Sequence, residues 1–461
     1  MYAAKYEKLG IPTVTFSYAD MVSVSKRQTT LRSVAMPSLR ISTLTRGLSA
    51  ERIAQEAKSK VNEIVKKLTE PLTDKEKFKG SYELPPEPRT LFTGTFDEVQ
   101  NFLGGDLTSF IDSAPHAEYT DGLPVIPPTE DRVRAMLAGT KHDAKEVIGP
   151  ILPFYGLATV ESVAINGVMA GCKPEYMPVL LALTENLTKT NIAEALQGAQ
   201  GWFAFMTVVN GPISKEIGLN SGGPDLSGPA PFTPGVPANT TIGRFLRLMQ
   251  LNVGGIEPGV SEAKGIGNPF KTSIVIGEAD DESPWQQFSA DLGFKDKTST
   301  VSLFVTWGDI LNGFRPTRAQ QASKDIGENR LGPIANASRY LSRPQQGLIV
   351  MISPQQAQDL QQAGYSKLDA KKWIWEHAVD PWGVAKDRGL GQGVQGSVFS
   401  IQGKPLAMFP KEWSDPNFPD TAIVKYYPSV EHISIIIGPG SYMGAIMNGT
   451  PRWTTEIDKW R

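Results

Sequence analysis

The chain has 461 residues, 40% of them hydrophobic and 20% charged, with a net charge of −2 at pH 7. That length favours two or three domains over one core, and the composition is globular rather than disordered or collagen-like. The near-neutral balance gives no support to nucleic-acid binding, and a single cysteine, Cys172, excludes an internal disulfide framework and a Cys-only zinc site.

No window approaches 18 consecutive apolar residues, and the best run, Ile433 to Ile437, is strand-sized, so no membrane-spanning helix is expected. The first residues, MYAAKYEKLG, lack the apolar core of a signal peptide. These features predict a cytoplasmic protein. Charge is unevenly spread: residues 1–80 hold 15 Lys/Arg against 8 Asp/Glu, and the remainder holds 31 against 40. The simplest reading is a basic small domain resting on a more acidic body.

Tyr2, Tyr6 and Leu9 recur at helical spacing, with Gly10 placed as a C-terminal cap. IPTVTFSY (11–18) is β-rich and alternating, as a strand should be. A helix over 19–34, a second strand over 39–45 and an amphipathic helix over 50–68, capped by Ser49, follow. Together these predict a small parallel βα domain over 1–70, flavodoxin-like but incomplete, since it begins on a helix without a preceding strand. Residues 71–92 are charged and then proline-rich, which marks a linker.

The remainder, 93–461, reads as one large mixed α/β domain. Helices are expected over 97–103, 159–170, 176–187, 191–199 and 242–251, and another starts at Thr129. Strands are expected over 203–209, 272–276, 300–305, 347–352 and 432–437. Between Val209 and Pro258 lies a long Gly/Pro/Asn-rich tract, a length that signals either a functional loop or an element not recognised within it. No clear tandem repeat is visible.

Several residues can carry chemistry. Cys172, in VMAGCKPEYMPV, lies between two helical runs beside Lys173, where a helix N-terminus would give it thiolate character; its alternative is a small buried hydrophobe. His116, Glu118 and Asp121 sit in SAPHAEYTDG and suit proton transfer or metal-assisted hydrolysis, although their spacing matches no strong metal signature and polar surface residues around a turn are the more ordinary reading. Asn220, Ser221, Gly222 and Arg244 lie in or beside the Gly/Pro tract, where Arg244 would clamp a carboxylate or phosphate and Tyr176 would line the pocket. His142 reads as exposed, His377 as a packing or capping residue, and His432 as near a strand end. GPGSYMG (438–444) follows a buried strand, a usual place for a ligand loop, but lacks Rossmann context.

Taken together, EKLGIPTV, LTEPL (68–72), DGLPVIPPTEDRV, AGCKPEYMPV, NGPISKEIGLNSG, ANTTIGRFLRLMQLNVGG, GEADDESPW and GYSKLDAKKWIWEHA resemble the UGSC-motif (seleno)proteins over nearly the whole chain. The resemblance implies a Cys- or Sec-Gly-Ser-Cys strand ahead of the first helix, which this chain does not carry, and thiol or selenol chemistry. It also implies a role for Cys172. The resulting expectation is an enzyme acting on a small molecule at the interface of the two domains, with Cys172 as nucleophile or redox thiol, His116 or Glu118 as proton carrier, and Asn220 and Arg244 as anchors. The sequence leaves the cofactor unassigned. The alternatives are a metal-assisted hydrolase or lyase using His116, Glu118 and Asp121, and a non-catalytic subunit whose missing strand is supplied by a separate peptide or partner. An oligomer is expected.

Overall fold

A computed structural model describes residues 10–18, 38–41, 50–71, 92–104, 119–152, 156–189, 204–221, 238–256, 271, 274–312, 317–341, 346–390, 400–438 and 444–461. Near the N-terminus, β1 (Thr15–Tyr18) and β2 (Ser38–Ile41) pair in parallel, Thr15 opposite Ser38, as the βα pattern predicts. The helix expected between them, over 19–34, lies outside the described residues, as do the helix expected over 1–9 and most of the linker. Helix α1 (Ala50–Thr69) follows and matches the expected amphipathic stretch. The two strands form a sheet of their own.

The rest is mixed α/β. In chain order come α2 (Phe96–Gly104), α3 (Glu130–Leu137), β3 (Val147–Ile151), β4 (Gly156–Thr159), α4 (Val160–Ala170), α5 (Met177–Thr188), β5 (Ala204–Asn210), α6 (Ile213–Glu216), α7 (Ala238–Asn252), β6 (Ile274–Gly277) and β7 (Thr300–Asn312). Then follow α8 (Arg318–Ala322), α9 (Ile326–Ser338), β8 (Leu348–Ile352), α10 (Pro354–Gln362), α11 (Lys367–His377), β9 (Val379–Pro381), α12 (Trp382–Asp387), β10 (Ser400–Ile401), β11 (Lys404–Pro405), β12 (Ile423–Lys425), β13 (Ile433–Ile437) and β14 (Ala445–Glu456). Six strands build the central sheet in the order β13-β8-β14-β7-β5-β6. The expected helix over 191–199 lies outside the described residues.

The register of this sheet contains a two-fold repeat. In the first half β5 and β6 are parallel, Val209 opposite Gly277, and β7 runs antiparallel to β5, Phe304 opposite Met206. In the second half β8 and β13 are parallel, Ile352 opposite Ile437, and β14 runs antiparallel to β8, Met447 opposite Ile349. The same offsets relate each pair, and they bring Thr306 and Gly449, equivalent positions, opposite each other where β7 meets β14. A pseudo-two-fold axis therefore passes through that pair. This corrects the absence of a repeat in the sequence.

Strand twist accumulates across the six strands until the sheet curls on itself. Its outer strands meet at their C-terminal ends, where Ala279 N donates to Ile437 O at 2.8 Å. Alternate side chains of every strand then face a shared interior: Met206 with its counterpart Ile349, Val208 with Met351, Ile276 with Ile436, and Phe304 with Met447. The opposite faces pack outward on helices. Phe205, Val209, Val275, Val301, Leu303 and Val305 meet α4, α5 and α7. Leu348, Val350, Ile352, Ile433 and Ile435 meet α9, α10 and α11. Strands buried on both faces read as unbroken apolar runs rather than alternating ones, which is why ISIII and LIVMI are legible as strands. Each fully buried Ile, Met or Phe contributes about 1.5–3 kcal/mol.

Candidate functional site

Among the described residues, Asp121, Cys172 and Asn220 each bond a side chain in the first two turns of α7, which also carries Arg244. Helix α4 ends at Gly171, which has a left-handed φ of +86°, and Cys172 N closes the cap by donating to Gly167 O at 2.9 Å. Cys172 therefore follows the carbonyl end of α4, the wrong pole for stabilising a thiolate, and precedes the short helical turn Pro174–Tyr176 that leads into α5. The residue keeps some exposed surface while its thiol is buried and hydrogen-bonded with Thr241 of α7. Burial outweighs that bond and pushes the thiol up to about 12. The expected thiolate character is corrected accordingly: at neutral pH Cys172 is a thiol.

Tyr176 ends the short turn that leads into α5. It is buried in the apolar core, and burial, with the charges of Glu175 and Cys172 adding to it, pushes its hydroxyl up to about 12. It is a wall beside Cys172 and not an ionising group.

Arg244 does not present a free guanidinium to a ligand. Its Nε donates to Asp121 Oδ2 at 3.0 Å and one terminal nitrogen donates to Asp121 Oδ1 at 2.8 Å and to Leu123 O at 2.9 Å. The Asp121 side chain is 3% exposed. Burial alone would raise its carboxyl, but the Arg244 hydrogen bonds and charge prevail and hold it below the usual range. Both carboxylate oxygens are engaged by Arg244. The pair clamps the TDGLPVI loop, whose turn is further set by Thr120 Oγ1 donating to Leu123 O at 2.6 Å and by Ile126 N donating to Met169 O at 3.2 Å.

Asn220 is held the same way by the helix. Its N–H donates to Asn239 Oδ1 at 2.8 Å, while Asn239 Nδ2 donates to Val275 O of β6 at 2.8 Å. Asn220 O in turn accepts from Gly277 N at 3.3 Å, so residues 219–221 run along the outer edge of β6. Ser221 lies so close that a Cβ on Gly277 would come within 2.7 Å of its own Cβ. Asp121, Cys172, Tyr176, Asn220, Ser221 and Arg244, taken from four separated stretches, thus lie around one helix. His116, Glu118 and Gly222 lie outside the described residues.

Of the other histidines, His142 is paired: Nδ1 lies 2.8 Å from a Glu146 oxygen and Nε2 lies 2.9 Å from Lys459 O. These contacts raise it above its ordinary value, the Lys459 carbonyl contributing most. His377 stacks on Trp373 with ring centroids 3.8 Å apart and bonds its carbonyl, as a packing residue should. Burial pushes His432 down to about 4.

A second polar cluster was not singled out residue by residue in the sequence. Glu278, 1% exposed, directly follows β6; its Oε1 accepts from Ile437 N at 3.0 Å, and its Oε2 accepts from Phe288 N at 2.6 Å and from the Asn210 side-chain amide. Burial raises its carboxyl, opposed by the nearby Lys367 charge and by these donors. Asp280 Oδ2 accepts from Gly211 N at 2.9 Å, tying the same turn to the end of β5. The only sequence signal was an acid directly after an apolar strand, in GEADDESPW.

No protein-family model matches the chain, and neither a curated protein nor a solved structure matches it.

Proposed function

We propose that this protein is an enzyme acting on a small molecule bound around the N-terminal turns of α7, with Cys172 as its reacting thiol. One observation carries the reading: the Cys172 thiol bonds Thr241 on the helix whose Asn239 holds Asn220 and whose Arg244 holds the loop of Asp121. An ion pair and an amide pair, each hydrogen-bonded internally, thus frame a thiol. The thiol rests protonated, so the reading is a nucleophile or redox thiol that is deprotonated only when a bound substrate or a neighbouring base takes its proton. The Asp121–Arg244 pair acts as a positioning element. The resemblance to the UGSC-motif proteins supports thiol chemistry and extends it to a partner peptide that pairs with the β1–β2 sheet, which among the described residues has two strands. The metal-assisted alternative uses His116, Glu118 and Asp121, whose carboxylate Arg244 engages.

Thiol alkylation tests the reading. At pH 8 a thiol at about 12 holds roughly a thousandfold less thiolate than a free cysteine, so iodoacetamide should label native Cys172 about a thousandfold more slowly than the urea-unfolded chain. A library of small carboxylates, amides and phosphates is then screened by thermal shift. Hits that Cys172→Ser or prior alkylation abolishes support the site; hits indifferent to both overturn it.

A further inference from the structure

We infer that the polar end of the curled sheet holds a small monovalent cation, of the potassium, sodium or ammonium class, bound by Asn210, Glu278, Gln287 and Thr300. Sheet alternation directs three of these inward. Asn210 continues the interior series Met206 and Val208, Glu278 follows Ile276, and Thr300 precedes Phe304 by two pairs. Asn210 and Thr300 are opposite each other in the register. Gln287 immediately precedes Phe288, an interior residue whose N–H donates to Glu278. Gln287 Nε2 also donates to Thr298 O at 2.9 Å, and that carbonyl lies within 2.7 Å of where a Cβ on Gly211 would stand, next to Asn210.

All four residues are at most 1% exposed. Asn210 Oδ1, Gln287 Oε1 and Thr300 Oγ1 have no hydrogen-bond donor among the described residues. A buried acceptor left this way is costly, and with Asn210 on the Glu278 carboxylate, Thr300 opposite Asn210 and Gln287 next to Phe288, the three call for a positively polarised guest. The donor set is all oxygen, which suits a hard cation and not zinc or copper. Its charge is small. Glu278 already accepts three N–H groups, and Asp291 is balanced by Lys371 at 2.5 Å and Lys367 at 3.6 Å. One carboxylate in that setting does not compensate a divalent ion.

The test is thermal unfolding of the full chain at constant ionic strength, with choline chloride replaced stepwise by potassium, sodium, ammonium, magnesium or calcium chloride. A saturable rise in Tm with at least one small monovalent cation, absent in Thr300→Val, is expected, since a ligand of the folded state alone stabilises by mass action. Equal Tm in every salt, a rise with divalent ions only, or a rise that survives in Thr300→Val overturns the inference. Should Thr300→Val fail to fold, crystals of the wild-type chain grown with thallium(I) decide. An anomalous peak among these four side chains supports a cation, and a water there refutes it.

Discussion

Arginine 244 to alanine is the sharpest perturbation of the clamp at α7. The substitution removes three charge-assisted hydrogen bonds, two to Asp121 and one to Leu123 O, and leaves a nearly buried carboxylate unpaired. Breaking a buried pair on one side costs about 3–5 kcal/mol. Arg244→Lys keeps the charge but loses the planar fork, and should cost less than the alanine change while still costing more than about 1 kcal/mol. The double change Asp121→Asn with Arg244→Ala removes both charges and should recover much of the loss; with Asp121→Asn alone closing the double-mutant cycle, the coupling should be about 1–3 kcal/mol. Urea unfolding followed by tryptophan fluorescence measures all five chains. The cost should shrink at low pH. Asp121 has a depressed carboxyl, so its contribution is present above the unfolded value and is lost as pH falls through the folded one. An Arg244→Ala chain within about 1 kcal/mol of wild type at pH 7 would refute the clamp.

Two further outcomes follow from other parts of the molecule. His142 is raised, so it stabilises below its unfolded value, and that stability is lost as pH rises through the folded one. Urea midpoints of wild type against His142→Gln at pH 5.5 and 8.5 should therefore differ more at the acidic end, by about 0.5 kcal/mol, small because the pair is partly solvated. Gly347 has φ +96°, and a Cβ there would come within 2.6 Å of Gly449 O beside the pseudo-two-fold axis. Gly347→Ala should cost more than about 2 kcal/mol by thermal unfolding, and Gly364→Ala, with a similar φ but open space around it, should cost less.

Much of the secondary structure was legible. The helices at 50–69, 160–170 and 177–188 and the strands at 204–210, 348–352 and 433–437 follow periodicity and unbroken apolar runs. The repeat was not, because equivalent interior positions share only bulk and apolarity: Met206 answers to Ile349, and Phe304 to Met447. A core accepts such exchanges at constant volume. β14 was missed because AIMNGTPRWTTE mixes proline, arginine and threonine into a strand bulged at two points. At the site, residue types were readable but pairing was not. Arg244 and Asp121 lie 123 positions apart, and only the fold reveals that each spends its charge on the other.

Strand β6 links the two polar sites. Its outer edge carries residues 219–221 and Asn239 on the Cys172 side, and its end carries Glu278 on the interior side. Gly277 is the hinge between them, since a Cβ there would meet Ser221 Cβ at 2.7 Å, Leu219 Cδ2 at 3.0 Å and Asn220 O at 3.1 Å. Gly277→Ala must push the 219–221 segment outward or draw β6 inward, at about 1–3 kcal/mol. An outward push loosens Asn220 from Asn239 and opens the surroundings of Cys172, so alkylation should accelerate. An inward draw moves Glu278 against its three donors, so the salt-dependent part of Tm should fall. At least one readout should therefore change along with stability. A Gly277→Ala chain that is destabilised yet leaves both alkylation rate and salt response at wild-type values would show that β6 does not couple the two sites.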